Sequence, residues 1–215
     1  MSSILQRLAG ALHRSTHTQR CWDLTQAIPS QDLELIITAA VSAPVKQNYA
    51  YFHLHVLEDR HKIQSVYECS HGFGLPDSSL PGGMRIIKNT QTLANCVLIF
   101  EAYTTGENLH RNLERAQGVD RSLRHDQTRA VSMAAAYANL AAHLLGYRTG
   151  FCECFNPLEV KQTLGLRDQP QLMLGIGFPD KTRHRTKHHL DNTITYPSHD
   201  RETIPVSRYT KEDSQ

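Results

Sequence analysis

The feature that most constrains the fold is the stretch from about Ser122 to Leu145, which contains nearly all of the alanine-rich segment "AVSMAAAYANLAAHLLG" (130–146). Alanine is the best helix former and Gly146 ends the run, so the sequence predicts one long helix here. Its small side chains cover more than one face of that helix: Ala134, Ala135, Ala138, Ala141 and Ala142. A helix that is apolar all round is buried on all sides. We therefore expect it to lie either at the centre of a monomer or against a second subunit.

Three further segments have the apolar patterns of β-strands. The segment "FHLHVLE" alternates apolar and polar residues, whereas "NCVLIFEAY" and "QLMLGIGF" are almost continuously apolar, as strands buried on both faces are. The sequence therefore predicts strands at 52–58, 95–103 and 171–178, with a shorter one at 148–154.

Apolar periodicity and capping residues predict three more helices. They are "SSILQRLAGALHR" (2–14), "SQDLELIITAAVSAP" (30–44) with Ser30 as N-cap, and "NPLEVKQTLG" (156–165) with Asn156 as N-cap. The helices outnumber the strands, and the strands are well separated in sequence, which predicts an α+β or three-layer α/β fold. We expect three α/β/α layers around a mixed sheet of four to five strands.

Length and composition bound the remaining possibilities. With 215 residues and 40% hydrophobic residues, the chain predicts a single domain over 1–215, with 186–215 as a polar C-terminal extension and 70–83 as a loop. The five cysteines are odd in number and irregularly spaced, and no segment resembles a signal peptide or a membrane span. We therefore expect a reduced, cytoplasmic protein with no membrane partner.

Several common site motifs are missing from the sequence. There is no phosphate-binding G-x-x-x-x-G-K-[ST], no strand–GxGxxG–helix and no G-x-S-x-G. The 13 histidines show no recognised zinc spacing, although His53 and His55 share a strand face and His188 adjoins His189. The pair Cys152-x-Cys154 lacks a partner pair. These spacings predict no metal.

Two basic segments stand out against a net charge of only +2: "HRSTHTQR" (13–20) and "KTRHR" (181–185). Arginine suits phosphate because its fork makes two parallel hydrogen bonds. The loops "SAPVKQN" (42–48) and "GFCECFNP" (150–157) also present polar groups, so the four together would suit one phosphorylated cofactor. Two solvated basic loops are the simpler alternative. Since aromatic residues do not interleave the basic run, we expect no nucleic-acid partner.

Five motifs, in this order, resemble the nitroreductase family of FMN-dependent oxidoreductases. They are His13-Arg14-Ser15, the helix and loop "LELIITAAVSAPVKQNYAYFHLHV", "YANLAAHLLGYRTG", "CECFNP" and "LGIGFPDKTRHR". Each motif alone is unspecific, but their order and spacing along most of the chain are specific. The resemblance is weakest over 60–95 and in the tail.

The resemblance implies a set of FMN-binding residues. Those that would hold the phosphate are His13, Arg14, Ser15, His17, Arg183 and Arg185. Those that would lie along the flavin ring and ribityl chain are Pro44, Val45, Lys46 and Asn48, while the backbone of Glu153 and Cys154 would approach the reactive N5 edge. It further implies a homodimer with FMN between the subunits. Hydride would pass from NAD(P)H through FMN to a nitroaromatic, quinone or similar acceptor, in a ping-pong cycle.

Several positions depart from the family pattern. His13 and His17 stand where arginine or lysine is usual, and Cys154 replaces a glycine. Val45 and Lys46 replace two small polar residues, and Ala50-Tyr51-Phe52 replaces Gln-Pro-Trp. These departures keep two alternatives open: flavin chemistry of another kind, such as flavin fragmentation or dehalogenation, and a non-catalytic flavin-binding or scaffold module. The charged segment 104–124 is expected to cover or border the pocket.

Overall fold

The computed structural model describes residues 3–103, 119–198 and 201–208. Its helices are α1 (Ile4–Ser15), α2 (Ser30–Val41), α3 (Arg60–Glu68), α4 (Val119–Leu145) and α5 (Pro157–Leu164). Its strands are β1 (Trp22–Asp23), β2 (Phe52–Leu57), β3 (Gly72–Pro76), β4 (Met84–Lys88), β5 (Cys96–Ala102), β6 (Arg148–Cys152) and β7 (Pro170–Pro179). Two short 3₁₀ turns span Lys46–Asn48 and Thr90–Leu93.

The main sheet is built around β7. This strand pairs with β1, β5 and β6, and β5 pairs in turn with β2. All of these pairs are antiparallel. The prediction of a mixed sheet, with both parallel and antiparallel pairs, was therefore wrong. Gly175 lets the Thr90–Leu93 turn lie directly on β7, because a Cβ at that position would come 2.0 Å from the Gln91 carbonyl oxygen.

Helices cover both faces of this sheet. Along β5, Leu98 and Phe100 point into the core formed with α2 and α4, whereas Val97 and Ile99 point into the core formed with α3 and α5. Successive side chains of a strand alternate between faces, and each such buried side chain contributes roughly 1.5–3 kcal/mol. The α+β class with three layers is therefore confirmed.

Helix α4 is the predicted long helix, and its alanines are packed as expected on one side. Ala134, Ala135 and Ala138 are fully buried. On the other side Tyr137 is 48% exposed and Leu144 is 42% exposed, so the single chain does not bury this helix all round. Helix α1 packs on α4 and also leaves apolar residues in solvent: Ile4, Leu5, Leu8 and Leu12.

Three local expectations were wrong. Ser30 is the first residue of α2 rather than its cap, and Pro29 at the cap position makes no side-chain hydrogen bond. Helix α3 was not predicted, although the Asp59 side chain caps it by accepting a hydrogen bond from Lys62 N. The expected loop 70–83 contains β3 of a hairpin, because its glycines and prolines are spread over two paired strands and their turn.

The first part of the predicted polar extension is folded onto the domain. Residues 186–196 bury Thr186, His188, Ile194 and Tyr196, and the Thr90 N–H donates to the Tyr196 hydroxyl at 3.0 Å. Within the described part of the chain, no helix is both long enough and apolar enough to cross a bilayer.

Candidate functional site

A cavity of ≈ 430 Å³ lies between the end of α1 and the loop that follows β7. Its lining is strongly cationic: Arg14, Arg148, Lys181, Arg183 and Arg185, with His13, His17 and His184. One carboxylate, that of Asp180, also lines it. We call this site the basic cavity.

Backbone hydrogen bonds bring the two basic segments to this place. The Gln19 N–H donates to the Thr149 carbonyl of β6 at 2.8 Å, and the Arg20 N–H donates to the Arg185 carbonyl at 3.1 Å. The chain after α1 is thereby fixed beside β6 and the loop after β7. The predicted residues His13, Arg14, His17, Arg183 and Arg185 therefore meet around one cavity.

Arg14 has an unsatisfied donor at this cavity. One of its terminal nitrogens donates to the His143 carbonyl at 3.5 Å, while its Nε is buried with no hydrogen-bond partner among the described residues. Gly10 makes room for the guanidinium, since a Cβ there would lie 2.9 Å from Arg14 Nη1. An unsatisfied buried donor is costly, so an anion in the cavity would stabilise this arrangement.

A second arginine close to the basic cavity, Arg20, also has a buried nitrogen without a hydrogen-bond partner among the described residues. Arg20 lies in a neighbouring cavity of ≈ 360 Å³ that shares His17 and Arg185 with the first. Its guanidinium stacks over the Tyr196 ring at 4.6 Å, and its Nε is buried without a partner among the described residues. Burial lowers the pKa of Arg20 from its ordinary value, and the Arg185 charge adds to the effect. Both observations fit a phosphate-sized anion bound close by.

Arg183 is already engaged inside its own loop. Its Nε donates to Asp180 Oδ2 at 2.6 Å, and its Nη1 donates to the His189 carbonyl at 2.9 Å. Hydrogen bonds from Thr182 and Arg183 lower the pKa of Asp180 to about 2, so this carboxyl is ionised at neutral pH. Arg183 therefore shapes the loop, and Asp180 places one negative charge among the cations.

A buried polar network supports the end of α1. Asn139 Nδ2 donates to the Ser15 carbonyl at 3.1 Å, and Thr149 Oγ1 donates to Asn139 Oδ1 at 2.6 Å. The Thr149 oxygen must then accept from His143 Nε2, which lies 3.0 Å away. Burial lowers the pKa of His143 to about 4, with further repulsion from Arg148 and Arg14, so its ring is neutral at pH 7. The Ser15 hydroxyl itself donates to the Leu12 carbonyl at 2.8 Å.

Arg148 is a cavity residue that the sequence reasoning did not single out. It opens β6 and lies opposite Gly177 near the end of β7. Its position in the sequence was the available signal. Arg148 lies two residues after Gly146, at the start of β6, and β6 pairs with β7, which leads into the basic segment 181–185. Only the strand register turns that position into a contact.

The predicted ring-side loop lies elsewhere on the single chain. Pro44, Val45, Lys46 and Asn48 are absent from the described lining of the basic cavity. Lys46 Nζ donates to Asp126 Oδ2 of α4 at 2.6 Å, where the carboxylate side chain is 5% exposed. Gln47 and Asn48 both have φ of 56°, a left-handed backbone that is uncommon for glutamine. The ion pair and this turn together fix the loop on α4.

Glu153 and Cys154 also lie apart from the described lining of the basic cavity. Both are exposed directly after β6, and the Cys154 carbonyl accepts a hydrogen bond from His71 N at 2.7 Å. Cys154 has an ordinary negative φ, so its backbone does not demand the glycine that the family pattern has there. The neighbouring Cys152 is buried, which raises its pKa to about 12 and keeps that thiol unreactive.

Comparison with known proteins decides the family. The sequence model of the Nitroreductase family matches residues 13–178. The chain belongs to the nitroreductase family. Membership of this family supports a general oxidoreductase role. Among curated proteins, no sequence matched this nitroreductase-family chain significantly.

Solved structures agree on the fold. A putative NAD(P)H:FMN oxidoreductase from Staphylococcus epidermidis is 16% identical, with a TM-score of 0.64 over 94% of this chain and 95% of that one. NfrA2 of B. megaterium is 18% identical, with a TM-score of 0.64 over 85% of this chain and 70% of that one. An FMN-dependent nitroreductase from Clostridium difficile is 16% identical, with a TM-score of 0.55 over 86% and 92%. At these identities the likeness shows the nitroreductase fold alone.

Proposed function

We propose that this nitroreductase-family chain is an FMN-dependent oxidoreductase that carries hydride from NAD(P)H to a nitroaromatic, quinone or similar small acceptor in a ping-pong cycle. The observation that carries the proposal is the basic cavity, in which a buried guanidinium nitrogen of Arg14 has no partner among the described residues. The flavin would supply the redox chemistry, and the protein would supply binding, orientation and electrostatics.

The residues present fit the phosphate of FMN. Arg14 and Arg185 offer guanidinium donors at the cavity, with Arg148, Lys181 and the histidines adding positive charge. A hydrogen bond to a charged group contributes roughly 1.5–3 kcal/mol, so a few such bonds suffice to hold the cofactor. In this proposal Arg183 holds the loop through its bonds to Asp180 and to the His189 carbonyl, while the Ser15 carbonyl anchors the end of α1 by accepting from Asn139 Nδ2.

The ring-side residues require a second copy of the chain. In one subunit, the Pro44–Asn48 loop and Cys154 are absent from the described lining of the cavity that holds the arginines. We propose that the protein is a homodimer in which the Pro44–Asn48 loop of the other copy lies along the ring. The exposed apolar side chains of α1 and α4, such as Ile4 at 82% and Leu5 at 76%, supply a surface for that contact.

The first experiment is an absorption spectrum of the purified protein before and after incubation with excess FMN and desalting. Retained flavin bands, followed by bleaching with NADH or NADPH and recovery on adding a quinone, would support the proposal. Arg185→Gln should lose the retained flavin, whereas Arg167→Gln, an exposed arginine outside the described lining of the cavity, should keep it. Sedimentation of the same samples would report the dimer.

A non-catalytic role is the second candidate, and two observations favour it. Asp180 puts a fixed negative charge in the cavity, and His13 and His17 replace permanent cations. A colourless protein that cannot retain added FMN would support that role. A flavin that is retained but never reduced by NADH or NADPH would instead support the diverged flavin chemistries.

The cytoplasmic location and the absence of a nucleic-acid partner stay predictions. The segment 104–124, expected to border the pocket, lies largely outside the described residues.

A further inference from the structure

A second polar cluster lies on the opposite edge of the sheet from β6. Glu101 on β5 is only 1% exposed and faces His53 across the β2–β5 register, with His55 two residues further along β2. Alternate residues of a strand share one face, so both imidazoles project beside the buried carboxylate. We call these three residues the histidine–glutamate cluster.

The donor atoms of this cluster converge on one point. Glu101 Oε2 lies 2.7 Å from His55 Nε2 and 3.5 Å from His53 Nδ1. One ligand atom from each residue can be chosen so that all three lie within 4.8 Å of one another. The other carboxylate oxygen, Oε1, accepts the N–H of Asp168, which fixes the orientation of the Glu101 side chain. The convergence is therefore built into the sheet and its flanking loop.

We propose that His53, His55 and Glu101 bind a divalent transition-metal cation, of which Zn²⁺ is the best fit. Zinc takes histidine nitrogen at 2.0–2.1 Å and carboxylate oxygen at 2.0–2.2 Å, so tetrahedral donors lie about 3.4 Å apart. The two separations to Oε2 bracket that value. Two imidazoles and one carboxylate form a common ligand set for zinc and similar metals, and they leave one or more positions for water.

A single hydrogen bond from one histidine would not explain the arrangement. His55 alone satisfies Oε2, yet the His53 side chain, which is 58% exposed and has solvent available, also turns towards the same oxygen. The two rings lie 4.1 Å apart between centroids, and each presents a nitrogen to the same carboxylate oxygen. A metal cation between the two imidazoles and the carboxylate would satisfy all three groups together.

A cavity beside the cluster has a lining with net negative charge. His55 lines this cavity of ≈ 370 Å³ together with Glu58, Asp59 and Lys62. Two carboxylates against one ammonium favour cations over anions there. None of the described residues lines both this cavity and the basic cavity, so the inference does not rest on the flavin proposal.

The test is isothermal titration of ZnCl₂ into the chelator-treated, full-length protein. We expect one site, with an affinity that falls at least about tenfold in His53→Gln and in His55→Gln. His61→Gln is the matched control, because His61 is an exposed histidine on α3 outside the cluster and should leave zinc binding unchanged. Glu101→Gln should also weaken binding, but the half-exposed His53 carries the test since its substitution leaves the core intact.

Two results would overturn the proposal. One is the absence of zinc binding by a protein that circular dichroism shows to be folded. The other is zinc binding that His53→Gln and His55→Gln both leave unchanged, which would place the metal on other histidines, such as those of the 184–189 loop. A thermal shift with zinc in the wild type, lost in His53→Gln, would support the site independently of any enzymatic activity.

Discussion

The basic cavity and the histidine–glutamate cluster both gather histidines, but their charge balance is opposite. Among the described residues that line the basic cavity, five arginines and lysines and three histidines surround one carboxylate, that of Asp180. In the cluster, two histidines converge on one buried carboxylate, that of Glu101. The first arrangement suits an anion and the second suits a cation. The same residue type therefore indicates different ligands according to the charges around it.

The largest expected effect tests the anion side of this comparison. Replacing both Arg14 and Arg185 by Gln should weaken FMN binding by about a hundredfold or more, since each lost charge-assisted bond costs roughly 1.5–3 kcal/mol. Quenching of flavin fluorescence on titration measures the affinity. The same double variant should bind zinc as the wild type does. A loss of both ligands would instead mean that the fold had been damaged.

A histidine that belongs to neither site sharpens the comparison. His143 lies directly behind the basic cavity, fully buried, and its pKa is lowered to about 4. Between pH 6.5 and 4 this histidine is protonated in the unfolded chain but neutral in the folded protein. The free energy of unfolding therefore falls as the pH falls through this window. The loss amounts to on the order of 3 kcal/mol, at 1.36 kcal/mol per unit of pKa shift.

Urea unfolding at pH 7, 6, 5 and 4.5 measures this loss of stability. His143→Gln keeps an N–H donor for Thr149 but cannot be protonated, so its unfolding free energy should depend less steeply on pH. A variant as steep as the wild type would show that other groups control acid stability. His189, whose Nδ1 accepts the Trp22 N–H and whose pKa is also lowered to about 4 by burial, is the next group to test.

The sequence predicted the fold well where local patterns were strong. The alanine-rich run of α4 was correct within a few residues because alanine is the best helix former, and the runs of β5 and β7 were correct because they are almost continuously apolar. Helix α3 and the β3–β4 hairpin were missed. Both lie in a polar, glycine- and proline-containing stretch, where caps and pairing partners decide the structure more than composition does.

The site was predictable in outline but not in its contacts. The two basic segments were expected to meet, and they do. That Arg183 would line the cavity while its Nε bonds to Asp180 depends on the shape of the loop, which the sequence does not specify. Glu101 was not identified as a site residue, because it lies in an otherwise apolar strand. The β2–β5 register is what places it opposite His53. Register and loop geometry are tertiary properties, and both decide the chemistry here.

Permanent positive charge can be added to the basic cavity at His13 and His17. Histidine carries little charge at pH 8, whereas arginine is always cationic. His13→Arg combined with His17→Arg should therefore tighten FMN binding about tenfold at pH 8, measured by fluorescence titration. The gain should shrink as salt rises, because exposed charges are screened. Unchanged affinity would mean that these two positions do not contact the phosphate.

The smallest expected effect concerns the Asp180 carboxylate in the basic cavity. Asp180→Asn removes a negative charge that repels phosphate and releases Arg183 from its 2.6 Å ion pair, while the asparagine can still accept the hydrogen bonds from Thr182. Arg183 stays in the loop through its bond to the His189 carbonyl. We expect FMN binding to tighten about threefold, on the scale of one partly exposed charge pair.

Asp191→Asn is the matched control for this substitution. Asp191 accepts hydrogen bonds from the N–H and hydroxyl of Thr193 just as Asp180 does from Thr182, but it is absent from the described lining of the cavity. It should leave FMN affinity unchanged. If Asp180→Asn weakened FMN binding while Asp191→Asn did not, the Asp180–Arg183 pair would be holding the loop in its binding geometry. The difference in ligand preference between the basic cavity and the histidine–glutamate cluster would then depend on loop shape as well as on charge.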